Sequence, residues 1–139
     1  MSVSSGKLKI RDQIRNKLQP VFAHYCGSLA VVYLFGSTAT GETTQLSDLD
    51  IAVLLKPGTD IHASSLRFKL FADISRELQR NDIDLVILNS SSNLILQDEI
   101  IRKGLVIFEA DVETRNRFEE RIIHCSIDFR HQRMMTMGV

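Results

Sequence analysis

The sequence predicts an α+β domain: a mixed β-sheet of about four strands, with helices mainly on one face. Two observations lead there. The apolar runs Ser28-Leu-Ala-Val-Val-Tyr-Leu-Phe35 and Ile51-Ala-Val-Leu-Leu55 follow one another as a strand pair, and two later apolar runs are each reached through a segment of helical periodicity. A length of 139 residues adds a bound, since it gives room for one respectable core and hardly for two. A single domain over 1–139 is therefore expected, with a core from about 8 to 109 and a closing helix from about 111 to 130.

In chain order, Leu8 to about Cys26 reads as the first helix, because Ile10, Ile14, Leu18, Val21 and Phe22 recur at helical spacing. Pro20 should bend or divide it, and Gly27 is a plausible stop. Leu29–Phe35 and about Asp48–Leu55 are the first two strands, and Lys56-Pro57-Gly58 is a turn. A second helix spans roughly 63–79, burying Leu66, Leu70, Phe71, Ile74 and Leu78. Asn81-Asp82 leads into strand three, Ile83–Leu88. Ser90-Ser-Ser92 is placed to cap a helix over Leu94–Lys103, which Gly104 ends. Leu105–Phe108 is strand four. The last helix starts near Asp111–Glu113, where acidic residues suit a helix N-terminus, and Arg130–Val139 shows no clear pattern.

Composition removes several function classes. Lys plus Arg total 17 and Asp plus Glu total 17, so the formal charge is zero, without the basic surplus of a dedicated nucleic-acid binder. No direct nucleic-acid binding is expected. No apolar run reaches membrane-spanning length, and residues 1–7 lack an apolar signal core, so a cytoplasmic protein is expected. Cys26 and Cys125 are too few for a disulfide framework or zinc site and are expected as buried or half-buried thiols. His24, His62, His124 and His131 show no ligand spacing, and no serine lies in a Gly-x-Ser-x-Gly context. Met134, Met135 and Met137 are expected in a disordered terminus.

The chemistry concentrates at Gly36-Ser37 and Asp48-Leu49-Asp50, ten residues apart. Gly36 ends the first strand, and the segment after it can begin a helical turn whose free N–H groups cradle a phosphate. Asp48 and Asp50, two apart at a strand entry, project to one face. Like charges held that close make most sense around a divalent cation. A phosphate cradle beside metal-binding carboxylates implies chemistry on a nucleoside triphosphate.

With those residues in place, Leu34-Phe-Gly-Ser37 and Ser47-Asp-Leu-Asp-Ile-Ala-Val53 together resemble the signature of the polymerase-β-like nucleotidyltransferase superfamily. The small size narrows the resemblance to the minimal nucleotidyltransferases (MNT proteins), known mainly as antitoxins paired with HEPN-domain RNase toxins. The order of elements agrees from residue 8 to about 109. One departure is that many members carry arginines in the pattern G-S-R-A-R-G, whereas Thr38 and Thr40 stand here. Threonine hydroxyls donate to phosphate but bring no positive charge, so a cation would come from Arg67, Lys69 or the partner.

Two-metal phosphoryl transfer needs a third acid, and strand three offers Asp82 and Asp84. Asp84 lies among Ile83, Leu85, Val86 and Ile87, where a carboxylate is costly unless compensated, while Asp82 sits in the preceding turn. Asp84 is preferred, and Asp84-Leu85-Val86 also matches the acid-Leu-Val form of the family's third acid. The resemblance then implies transfer of AMP from ATP to a tyrosine hydroxyl of a cognate HEPN toxin, neutralising it. Asp48, Asp50 and Asp84 would be the catalytic and metal-binding residues holding two Mg²⁺ ions, and Gly36 and Ser37 would bind the nucleotide. Two other readings stay open: a non-catalytic antitoxin that binds its toxin sterically, and a small-molecule transferase of the aminoglycoside-modifying type.

Overall fold

Leu29–Phe35 and Leu49–Leu55 are apolar almost without a break, a pattern suited to strands buried on both faces. The computed structural model, which describes residues 4–36, 48–60 and 64–137, places them at the centre of a four-stranded sheet. The elements are α1 (Ser4–His24), β1 (Leu29–Phe35), β2 (Leu49–Leu55), α2 (Ser64–Leu78), β3 (Ile83–Ile87), α3 (Leu94–Lys103), β4 (Leu105–Glu109) and α4 (Val112–Met137). A 3₁₀ turn, Leu88–Ser90, follows β3. The strand order is β3-β2-β1-β4. β1 runs antiparallel to both β2 and β4, whereas β2 and β3 are parallel, so the sheet is mixed as expected.

The helices do not gather on one face, which corrects that part of the expectation. Leu18 and Phe22 of α1 and Leu70 and Ile74 of α2 pack against Val32, Leu34, Ile51 and Val53. On the opposite face Ile100 of α3 and Phe118 and Ile122 of α4 pack against Val31, Tyr33, Ala52 and Leu54. The physical reason is visible in β1, where both sets of alternate residues are apolar and each set has to be covered. α4 is further pinned by polar contacts. The Tyr33 hydroxyl donates to Glu119 at 2.6 Å, and Arg115 pairs with both Glu119 and Glu109. Burial and the adjacent Glu119 carboxylate push the Tyr33 phenol well above its usual range, so it stays a neutral donor.

Other boundaries move for local reasons. α1 begins at Ser4, ends at His24 and passes through Pro20 as one helix. α3 is capped by Asn93, whose side chain accepts from the Leu96 N–H at 3.0 Å, and not by the serines before it. α4 continues to Met137, through the segment expected to lack order. Cys26 and Cys125 are both exposed rather than buried.

Gly104 ends α3 through a close approach and not a left-handed turn. Its φ is −71°, but a Cβ there would collide with the Ile100 carbonyl oxygen that its own N–H bonds at 2.7 Å. Gly104→Ala is expected to destabilise the fold by about 1–3 kcal/mol, since the colliding atom is helix backbone that cannot swing aside. A urea melt checks this, and an unchanged midpoint would contradict it.

Candidate functional site

β1 ends where β2 begins, because the two are antiparallel, and Phe35 lies opposite Asp50. Gly36 therefore comes directly against the Asp50 side chain. Its φ of +73° is one that L side chains rarely adopt, and a Cβ at this position would overlap Asp50 Oδ2. The backbone conformation favours glycine here, and any Cβ would also push the Asp50 carboxylate aside. Ser37, like Thr38 and Thr40, lies outside the described residues.

The parallel pairing of β2 and β3 brings the acids together. Asp50 is registered with Asp84, between the pairs Leu49–Ile83 and Ile51–Leu85. Leu49, Ile51, Val53, Ile83 and Leu85 belong to the core under α1 and α2. By alternation Asp50 and Asp84 project to the opposite face, at the end of the sheet where β2 and β3 start. Asp48, two residues before Asp50, shares that face. Asp48 and Asp84 are exposed, while Asp50 is half-buried. Burial raises the Asp50 carboxyl above its ordinary value, and the neighbouring charges of Asp84 and then Asp48 add to the effect. The three acids named from the sequence therefore share one electrostatic field.

Asp82 has a different environment. Its two carboxylate oxygens accept from Arg80 Nε at 2.6 Å and Arg80 Nη2 at 2.5 Å. The Arg80 bond holds the Asp82 carboxyl below its ordinary range. In the turn before β3 Asp82 is thus held chiefly by an ion pair, with a backbone N–H bond as a lesser contact. Nothing in the residue pattern singles out Arg80; its spacing to Asp82 is a weak signal, and only the turn geometry joins them. Of the cations considered from the sequence, Arg67 donates from Nη2 to the Leu85 carbonyl at 3.1 Å, which occupies part of the exposed β3 edge. Lys69 is exposed.

The donor chemistry fits a hard divalent cation. All three groups are carboxylates, oxygen ligands of the kind Mg²⁺ takes, and their mutual repulsion is what a cation would relieve. Among the described residues no group of three His, Cys, Asp or Glu side chains stands ready as a metal cage. Asp48 and Asp84 are exposed, so the arrangement is a shared field that a cation can draw together. A cleft of about 280 Å³ lined by Leu54, Leu55, Phe118 and Arg121 lies at the other end of β2. Five residues of strand separate it from Asp50, roughly 16 Å, so it belongs to different chemistry.

Comparison with known proteins adds the following. The family model described as "Polymerase beta, Nucleotidyltransferase" matches residues 16–113. The chain is 34% identical over 89 residues to a protein adenylyltransferase, MntA, of Shewanella oneidensis; the match covers 64% of this chain and 60% of that relative's length. A toxin–antitoxin crystal structure with AMP-PNP contains a chain that superposes with a TM-score of 0.69 at 27% identity, covering 89% of this chain and 95% of that one. The complex of a tri-AMPylated Shewanella oneidensis HEPN toxin with an MNT antitoxin gives a TM-score of 0.65 at 24% identity, covering 91% of this chain and 95% of that one, a likeness of fold. Among the described residues no helix is long and apolar enough to cross a membrane.

Proposed function

Because this chain belongs to the polymerase-β nucleotidyltransferase family, we propose that it is an antitoxin that transfers AMP from ATP to a tyrosine hydroxyl of a cognate HEPN toxin. The observation that carries the reading is Asp50 in register with Asp84, beside Asp48 and against Gly36. That constellation is suited to a triphosphate and its counter-ions. The adenylyltransferase relative and the toxin–antitoxin structure with an ATP analogue support a protein acceptor and the nucleotide class.

In this reaction the tyrosine oxygen attacks the α-phosphorus of ATP. A P–O bond to the acceptor forms, the P–O bond to the β-phosphate breaks, and pyrophosphate leaves. Asp48, Asp50 and Asp84 would hold two Mg²⁺ ions, which when bound stabilise charge on the attacking and departing oxygens. Asp84 also helps take the proton of the incoming hydroxyl. Gly36 and Ser37 would hold the leaving pyrophosphate with backbone N–H groups and the serine hydroxyl.

Transfer is separable from steric blocking. With ATP and Mg²⁺, a substoichiometric amount of this protein should add AMP units to all of the toxin, because each turnover frees the site. The toxin should then stay silent as an RNase after separation. A steric antitoxin requires about one copy per toxin site and loses its effect on dissociation. Intact-mass spectrometry followed by an RNase assay decides, and an unmodified toxin that regains activity once separated overturns the proposal.

A further inference from the structure

The same short pattern opens β2 and β3, Asp48-Leu-Asp50 at one and Asp82-Ile-Asp84 at the other, with the first acid of each just before its strand. They are parallel and in register, with Leu49 opposite Ile83 and Asp50 opposite Asp84, and the Leu49 N–H donates to the Asp82 carbonyl at 2.8 Å. Residues two apart along a strand share a face, so the register, continued one step before the strand starts, sets the carboxylates as two rungs. Asp50 and Asp84 form the inner rung, and Asp48 and Asp82 lie at the outer one. Asp82, just before β3, and Asp84, on it, are equally simple oxygen ligands. Strand geometry alone does not choose between them.

The turn before β3 does. α2 closes with Gln79 in the left-handed region at φ +54°, and the Arg80 N–H reaches back to the Ser75 carbonyl at 3.2 Å. That six-to-one bond after a left-handed residue is the Schellman helix stop. It is made here with glutamine in place of glycine, at a backbone cost that L residues normally avoid. The result delivers the Arg80 guanidinium to the outer rung, where it grips both oxygens of Asp82. The Arg80 charge also interacts with Asp48. Among the described residues the inner rung receives no such ion pair.

We propose that Arg80 is a positioning residue: by locking Asp82 in a two-point ion pair it withholds that carboxylate from the cation and leaves Asp48, Asp50 and Asp84 to bind it. The inference rests on the transferase reading above. Without Arg80, Asp82 becomes a free fourth carboxylate on the same face. A cation would be held more tightly but drawn toward the outer rung, away from the geometry that transfer needs.

The test compares Arg80→Ala, Asp82→Asn and the double variant with the parent protein. Mn²⁺ binding is measured by electron paramagnetic resonance without nucleotide, and the initial rate of AMP transfer is measured with the toxin. Arg80→Ala is expected to bind Mn²⁺ about threefold or more tightly, because a carboxylate is released to the site. It should transfer about tenfold more slowly, because a small displacement of the reacting groups is costly. Asp82→Asn and the double variant should stay near the parent in both measurements, since neither leaves a carboxylate to be withheld. Arg80→Gln, which keeps the stem packed, is read in the same way if the alanine variant melts early. Unchanged Mn²⁺ affinity in the arginine variants overturns the inference. So does a double variant as slow as Arg80→Ala, which would make Arg80 a direct contact to the nucleotide. An active parent with unimpaired Arg80→Ala removes the Arg80 role alone. A parent that neither binds Mn²⁺ nor modifies the toxin removes the transferase reading with it.

Discussion

Asp50→Asn is expected to abolish AMP transfer and, at neutral pH, to raise the melting temperature. The loss follows from the proposed role: the cations are worth several kcal/mol to the transition state, so removing a central ligand costs on the order of 10³-fold or more in rate. Asp84→Asn should behave alike in rate. The gain in stability follows from the raised Asp50 carboxyl. A carboxyl whose folded value lies above its unfolded one binds its proton better in the folded state, so ionising it opposes folding. That penalty is fully present above the folded value and disappears as pH falls below the ordinary value of 3.8. Asparagine never pays it. The variant should therefore melt higher than the parent at pH 7, and the difference should vanish in acid. Thermal melts from pH 3 to 8 beside labelled-ATP transfer check both halves. Native-rate transfer by Asp50→Asn would refute the site assignment, and a lower melting temperature at pH 7 would refute the electrostatic account.

Gly36→Ala should produce the second large effect, through geometry alone. At φ +73° an alanine carries a backbone penalty of about 1–2 kcal/mol. The larger consequence is local, because the new methyl group overlaps Asp50 Oδ2 and drives the carboxylate off its position. A displacement near 1 Å at a reacting centre costs about 100-fold, and transfer is expected to fall by that order. Most of the fold should survive, since Gly36 is exposed at the end of β1. Circular dichroism and transfer rate measured on one preparation separate the effects. An alanine variant with full activity would mean that the contact between Gly36 and Asp50 does not hold the site.

The sequence by itself determined where strands and helices lie and which acids deserved attention. β1, β2, β4 and α3 fall within a residue of their expected bounds, because apolar period and turn residues are local signals. The pairing of Gly36 with the Asp48–Asp50 segment was readable for the same reason, since each sits at the end of an apolar run. What lay beyond reach depends on contacts between distant segments. That β1 needs cover on both faces was implied by its unbroken apolar run, yet which helices supply the cover is set by packing. The extension of α4 to Met137 has no readable signal in its composition. The choice between Asp82 and Asp84 turned on burial cost and on the match of Asp84-Leu85-Val86 to the family's third acid, yet Asp84 is exposed on the edge strand, and the environments of the two were decided in three dimensions. The parallel register sets Asp84 beside Asp50, and a left-handed Gln79 brings Arg80 onto Asp82. Likewise the raised Asp50 carboxyl arises from burial and from a charge on another strand. Local chemistry is written residue by residue, whereas register and electrostatic field exist only once the strands are side by side.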